Sequence, residues 1–131
     1  MLFPEPKLCL IFTLLLASFS TPLYALDIDQ LSWNETMEKW GQVIFCQRIY
    51  NRPEVQSRLY SFDIEQCDKA GQLMSNVAAR YPAQEQVQLK NQAERHALAL
   101  SKNTAEPYHA VPACRTYCRE LADTLDKRNE R

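Results

Sequence analysis

From residue 33 onward the apolar positions of this chain recur at steps of three and four. Trp33, Met37, Trp40 and Ile44 form one helical stripe, and Val43, Cys46 and Tyr50 form a neighbouring one. A helix running to about Tyr50 is therefore apolar over a wide arc, which suits the centre of a bundle. Asp29 or Ser32 fits its N-cap, and Asn51-Arg52-Pro53 stops it. Pro53 then suits the first position of a short helical segment carrying Val55 and Leu59. Asp63, followed three residues later by Gln66, reads as a capping box that opens the next helix. In that register Phe62 packs on Cys67 as a staple, and Ile64, Cys67, Gly71, Met74, Ala78 and Tyr81 line one face. Pro82 ends this helix, because the residue before a proline avoids the α region.

From Ala83 to about Asn103 strong helix formers follow one another without a breaker. Val87, Leu89, Ala93, Ala97 and Leu100 give that helix one narrow buried stripe and a broad wet face. Asn103 to Pro112 is the longest expected loop, with prolines at Pro107 and Pro112. The last helix starts near Pro112 and buries Cys114, Tyr117, Cys118, Leu121 and Leu125. Lys127, Arg128 and Arg131 lie at its end, where cations favour the helix dipole. The expected fold is all-α: a small disulfide-stapled bundle of about four helices.

The first residues read differently. Lys7 precedes an apolar run from Leu8 to Phe19, close to the roughly 7–15 residues of a signal-peptide core. Ser20-Thr21-Pro22 breaks the run, and Leu23-Tyr24-Ala25 offers a cleavage site. Residues 1–25 are read as a signal peptide and 26–131 as a single helical domain. The run is short against the roughly 20 residues that a spanning helix needs. Cys9 lies before the apolar core, which does not fit a lipoprotein. The expected location is the periplasm or the extracellular space, with no stable membrane anchor after cleavage.

Composition narrows the function classes. A formal net charge of -1 gives no broad attraction to nucleic acid or anionic lipid. The two glycines, Gly41 and Gly71, both fall within helical patterns, so glycine-rich phosphate loops are absent from the sequence.

Export sets the meaning of the cysteines, since an even set of four in an oxidising compartment reads as a disulfide framework. Cys114 and Cys118 share one helical face with Cβ atoms roughly 5–6 Å apart. A disulfide wants about 3.8 Å, so each should reach another helix, where Cys46 and Cys67 are the available partners. In an up-down-up-down bundle all four belong to helix ends at one pole. Which cysteine bonds which stays open. A four-cysteine zinc site competes, but only one closely spaced pair exists. A redox site of the thioredoxin kind needs two intervening residues, and here there are three.

No other constellation carries recognisable chemistry. His96 lies on the wet helix, and His109 has no activated partner in a known motif. Asp63, Glu65 and Asp68 serve a helix start. Neither an enzyme activity nor a cofactor is expected. Asn34-Glu35-Thr36 matches the glycosylation acceptor pattern, which matters only in a eukaryotic source. The loop before the last helix stands out, because Tyr108 and His109 sit between two prolines that stiffen it. Rigid aromatic loops make good protein anchors, so these two residues are the candidate binding site.

Phe45-Cys46-Gln47-Arg48-Ile49-Tyr50, together with Ala113-Cys114 leading into Glu120-Leu121-Ala122-Asp123, resembles small periplasmic immunity proteins that protect bacteria from type VI secreted cell-wall amidases. Cys67 and Cys118 are additions to that pattern. The resemblance implies an exported, helical, disulfide-bonded protein that occludes a toxin's active site through an exposed loop or helix end. The expected function is thus binding of a protein partner. The alternative is a carrier of a small apolar ligand, with Trp33, Met37, Trp40 and Met74 lining a cavity between helices.

Overall fold

A computed structural model describes residues 27–130; the expected signal peptide lies outside them. Five helices follow in order: α1 (Trp33–Tyr50), the single-turn α2 (Pro53–Gln56), α3 (Ser61–Ala78), α4 (Ala83–Lys102) and α5 (Val111–Asn129). Two 3-10 turns, Ile28–Gln30 and Pro107–Ala110, precede α1 and α5. No strand occurs among the described residues. None of the helices among them is long and apolar enough to cross a membrane.

Helix α1 is the centre, as its wide apolar arc predicts. It packs α4 along one side and α3 and α5 along the other, while α3 and α5 pack on each other. Contacts fix the directions. Cys46 of α1 meets Cys114 at the start of α5, and Gln47 reaches the Cys67 carbonyl near the start of α3 at 3.4 Å. Those helices therefore run against α1. Trp33 at the start of α1 meets Tyr81 just before α4, and Gly41 further along faces Ala93 and His96, which places α4 parallel to α1. The result is the expected up-down-up-down course, with α1 enclosed between its neighbours.

Local chemistry explains the element ends. Ser32 caps α1: its Oγ accepts from the Glu35 N–H at 3.1 Å, and the Glu35 carboxylate accepts from the Ser32 N–H at 3.4 Å. Asp29, the other candidate cap, is instead held by Arg80 at the end of α3 and Arg128 near the end of α5. These two guanidiniums lower its pKa. At that end of the bundle they tie the segment before α1 to two other helices.

The core differs from the sequence pattern on both α1 and α4. On α1 the buried face is that of Val43, Cys46 and Tyr50, extended by Phe45 and Ile49. The tryptophan stripe is only half-buried, and Trp33 bridges to α4 by donating its Nε1–H to Gln92 at 2.7 Å. Its ring also stacks edge-on against Tyr81. On α4 the buried positions are the small side chains Ala93 and Ala97 with Leu89, while Val87 is exposed. His96, expected on the wet face, packs against α1 at Gly41.

Close approach of α1 and α4 depends on Gly41. A Cβ there would sit 2.7 Å from the His96 ring and 2.9 Å from the Ala93 carbonyl oxygen, which is backbone and cannot yield. A Cβ at Gly71 would meet the amide end of the Gln47 side chain at 2.7 Å, which can swing aside at the cost of its long bond to the Cys67 carbonyl, and Val43 at an ordinary 3.8 Å. Gly41→Ala is therefore expected to destabilise by about 1–2 kcal/mol through overpacking. Gly71→Ala should stabilise by up to about 1 kcal/mol, the helix-propensity gain. Chemical denaturation of the two variants beside the parent checks the opposite signs.

Candidate functional site

One end of the bundle collects most of the features that packing alone does not explain. The C-terminal end of α1, helix α2, the first turn of α3 and the 3-10 turn leading into α5 all meet there. Two disulfides lock it, Cys46–Cys114 and Cys67–Cys118, with Cα–Cα distances of 5.4 and 4.7 Å. Each cysteine of α5 reaches a different helix, as helix geometry requires, so α5 is tied to α1 and α3 separately. All four sulfurs are buried and engaged, which leaves no thiolate among them for a metal.

The start of α3 departs from the sequence expectation. The helix begins at Ser61, three residues earlier than a cap at Asp63 implies. Asp63 instead occupies the third helical position, where its carboxylate accepts from the Tyr60 N–H at 3.0 Å. The same carboxylate takes a two-pronged contact from Arg115 of α5, with Nε and Nη2 each at 3.1 Å. Asp63 is only 4% exposed. Burial pushes its pKa up, and the Arg115 guanidinium and the Tyr60 N–H more than offset this, so the net shift is downward. Asp63 in turn raises the pKa of Arg115.

This register also corrects two packing expectations. With Asp63 turned inward, Phe62 does not staple onto Cys67 and Ile64 does not join the buried stripe. Tyr60, Phe62 and Ile64 are 72%, 57% and 43% exposed, three large apolar side chains within five residues. Tyr60 lies near the Arg115 guanidinium, 5.8 Å from ring centroid to Cζ. Beneath, the Tyr50 hydroxyl is buried and has no hydrogen-bond partner. Burial, with the nearby Asp63 charge, pushes its pKa up to about 12.

Tyr108 and His109 lie at this same end, but not as an extended loop. They form the 3-10 turn Pro107–Ala110, which runs directly into α5. Tyr108 is half-buried against the core, and Arg58 stacks over its ring at 4.4 Å. The His109 ring meets it edge-on, and His109 itself is exposed. Tyr108 is thus a fixed support, and the protruding aromatics are Tyr60 and Phe62. Local sequence does not reveal their exposure, because the Asp63–Arg115 contact that sets the register links residues 52 positions apart.

The side chains expected to wall an apolar cavity lie at different depths. Met74 is fully buried, Trp33 is tied to Gln92, and Met37 and Trp40 are half-buried.

These features define a class: a disulfide-stapled all-α bundle with an aromatic, crosslinked pole. Compared with protein-family models, with curated proteins and with solved structures, the chain gives no match. Disulfide bonding is consistent with an oxidising, extracytoplasmic compartment.

Proposed function

We propose that this chain is an exported protein-binding module, immunity- or inhibitor-like, which occludes a protein partner with its disulfide-locked pole and performs no catalysis. The observation that carries this reading is the exposure of Tyr60, Phe62 and Ile64 on a segment with little freedom to rearrange. Exposed apolar side chains clustered on a soluble domain mark interaction sites. Binding hot spots favour tyrosine and arginine, and Tyr60 beside Arg115 supplies both. Rigidity adds to affinity, since a surface ordered in advance loses little entropy on docking. His109 stands at the same pole and extends the surface. The export expected from residues 1–25 would deliver the chain to the periplasm or the exterior, where its disulfides persist.

A photo-crosslinking residue placed at Phe62, and separately at Ile64, tests the reading in living cells of the native source. Gln84, exposed at the start of α4 and at the opposite end of the bundle, is the control position. One partner protein should be captured from both pole positions and not from Gln84. Equal capture at Gln84, or no capture from the pole by correctly folded chain, would sink the proposal.

A further inference from the structure

A second feature lies on the flank of the bundle. An open hollow of about 530 Å³ between α1 and α4 is lined by Arg48, Asn91, Glu94, Arg95 and Leu98. Four of these residues form one helical stripe on α4, at positions i, i+3, i+4 and i+7, next to the buried Ala93 and Ala97. Arg48 stands seven residues after Gly41, on the same side of α1, and supplies the facing wall. The close approach at Gly41 brings these two walls together.

We propose that this hollow binds a short zwitterionic peptide bearing an apolar side chain. Arg48, Glu94 and Arg95 make no ion pair among the described residues. Three unpaired charges lining one hollow are therefore available to a ligand. A guanidinium fork matches a carboxylate in two-pronged geometry, so Arg48 and Arg95 suit the peptide's C-terminal end. Glu94 suits its ammonium group, and it would repel a second negative charge on the ligand. Leu98, 50% exposed on an otherwise polar stripe, offers the apolar contact. The Asn91 amide has donor and acceptor groups for a peptide bond. The volume lies within the roughly 300–1,000 Å³ typical of small-ligand sites. A purely apolar ligand would bury these charges unpaired, and a dianion would face Glu94.

The test is an NMR titration of the oxidised protein with the dipeptide leucyl-leucine, its N-acetyl form and its C-terminal amide. Saturating shifts are expected at Arg48 and along residues 91–98 with the free dipeptide. Each blocked form should bind about tenfold more weakly, as expected for loss of one ion pair of about 1.4 kcal/mol. Arg95→Gln should weaken discrimination against the amide, which Arg48 in part retains, and Glu94→Gln should abolish discrimination against the acetyl form. Both side chains lie at the surface, so neither variant disturbs the core. Absence of saturating shifts at these residues, or binding of either blocked form as tight as that of the free dipeptide, would overturn the assignment. The outcome is independent of partner capture at Phe62.

Discussion

Replacing Cys46 and Cys114 together by alanine is expected to lower the unfolding free energy by about 4 kcal/mol, from loop-closure entropy. The bond closes a loop of sequence separation 68, so its loss releases a long stretch of unfolded chain. Removing Cys67–Cys118, with a separation of 51, should cost nearly as much. Because cost rises only logarithmically with loop length, the two effects should differ by less than 1 kcal/mol on the same model, about 0.3 kcal/mol. The two loops overlap along the chain, so the losses will not simply add. With both bonds gone, the total would rival the roughly 5–15 kcal/mol stability of a typical domain. Urea unfolding of the two double-alanine variants, followed by circular dichroism, reads both numbers. A loss under 1 kcal/mol for either bond would show that helix packing alone holds the pole.

The second large effect lies at the ion pair. Asp63→Ala is expected to cost about 2–3 kcal/mol, below the roughly 3–5 kcal/mol of a fully buried pair because Arg115 is partly solvated. The change strands the Arg115 guanidinium and the Tyr60 N–H together. Its pH signature follows from the direction of the shift. The folded pKa of Asp63 lies below its unfolded value. Its contribution is therefore complete above the ordinary carboxylate range and disappears as pH falls through the lowered folded value. Asp63→Asn should flatten this part of the acid limb, while leaving the curve above pH ~5 parallel to that of the parent. Tyr50→Phe gives the opposite case. Its hydroxyl is buried without a partner, so removing it should leave stability unchanged or raise it by up to about 1–2 kcal/mol.

Periodicity and helix geometry made much of this fold legible in the sequence. The wide apolar arc around Val43 and Cys46 marks the central helix, and Ser32, one of its two candidate caps, is where it starts. The three-residue gap between Cys114 and Cys118 forces each thiol toward another helix, and the structure pairs them with Cys46 and Cys67. The site was less legible, for a definite reason. Whether Asp63 caps α3 or sits inside its first turn depends on Arg115, and no local rule sees a partner on another helix. The same holds for Tyr108, which packs against the core beneath Arg58, 50 residues away in the chain. Local patterns therefore expected Tyr108 to protrude and Phe62 to pack, and tertiary contacts reverse both.

Tyr60→Ser/Phe62→Ser measured for both stability and partner capture separates the pole's proposed function from its role in the fold. Both side chains are exposed, so the variant should unfold within about 0.5 kcal/mol of the parent. It should nevertheless lose the partner that the parent captures in the native source. Undiminished capture by a variant of unchanged stability would contradict the assignment of this pole as the binding surface.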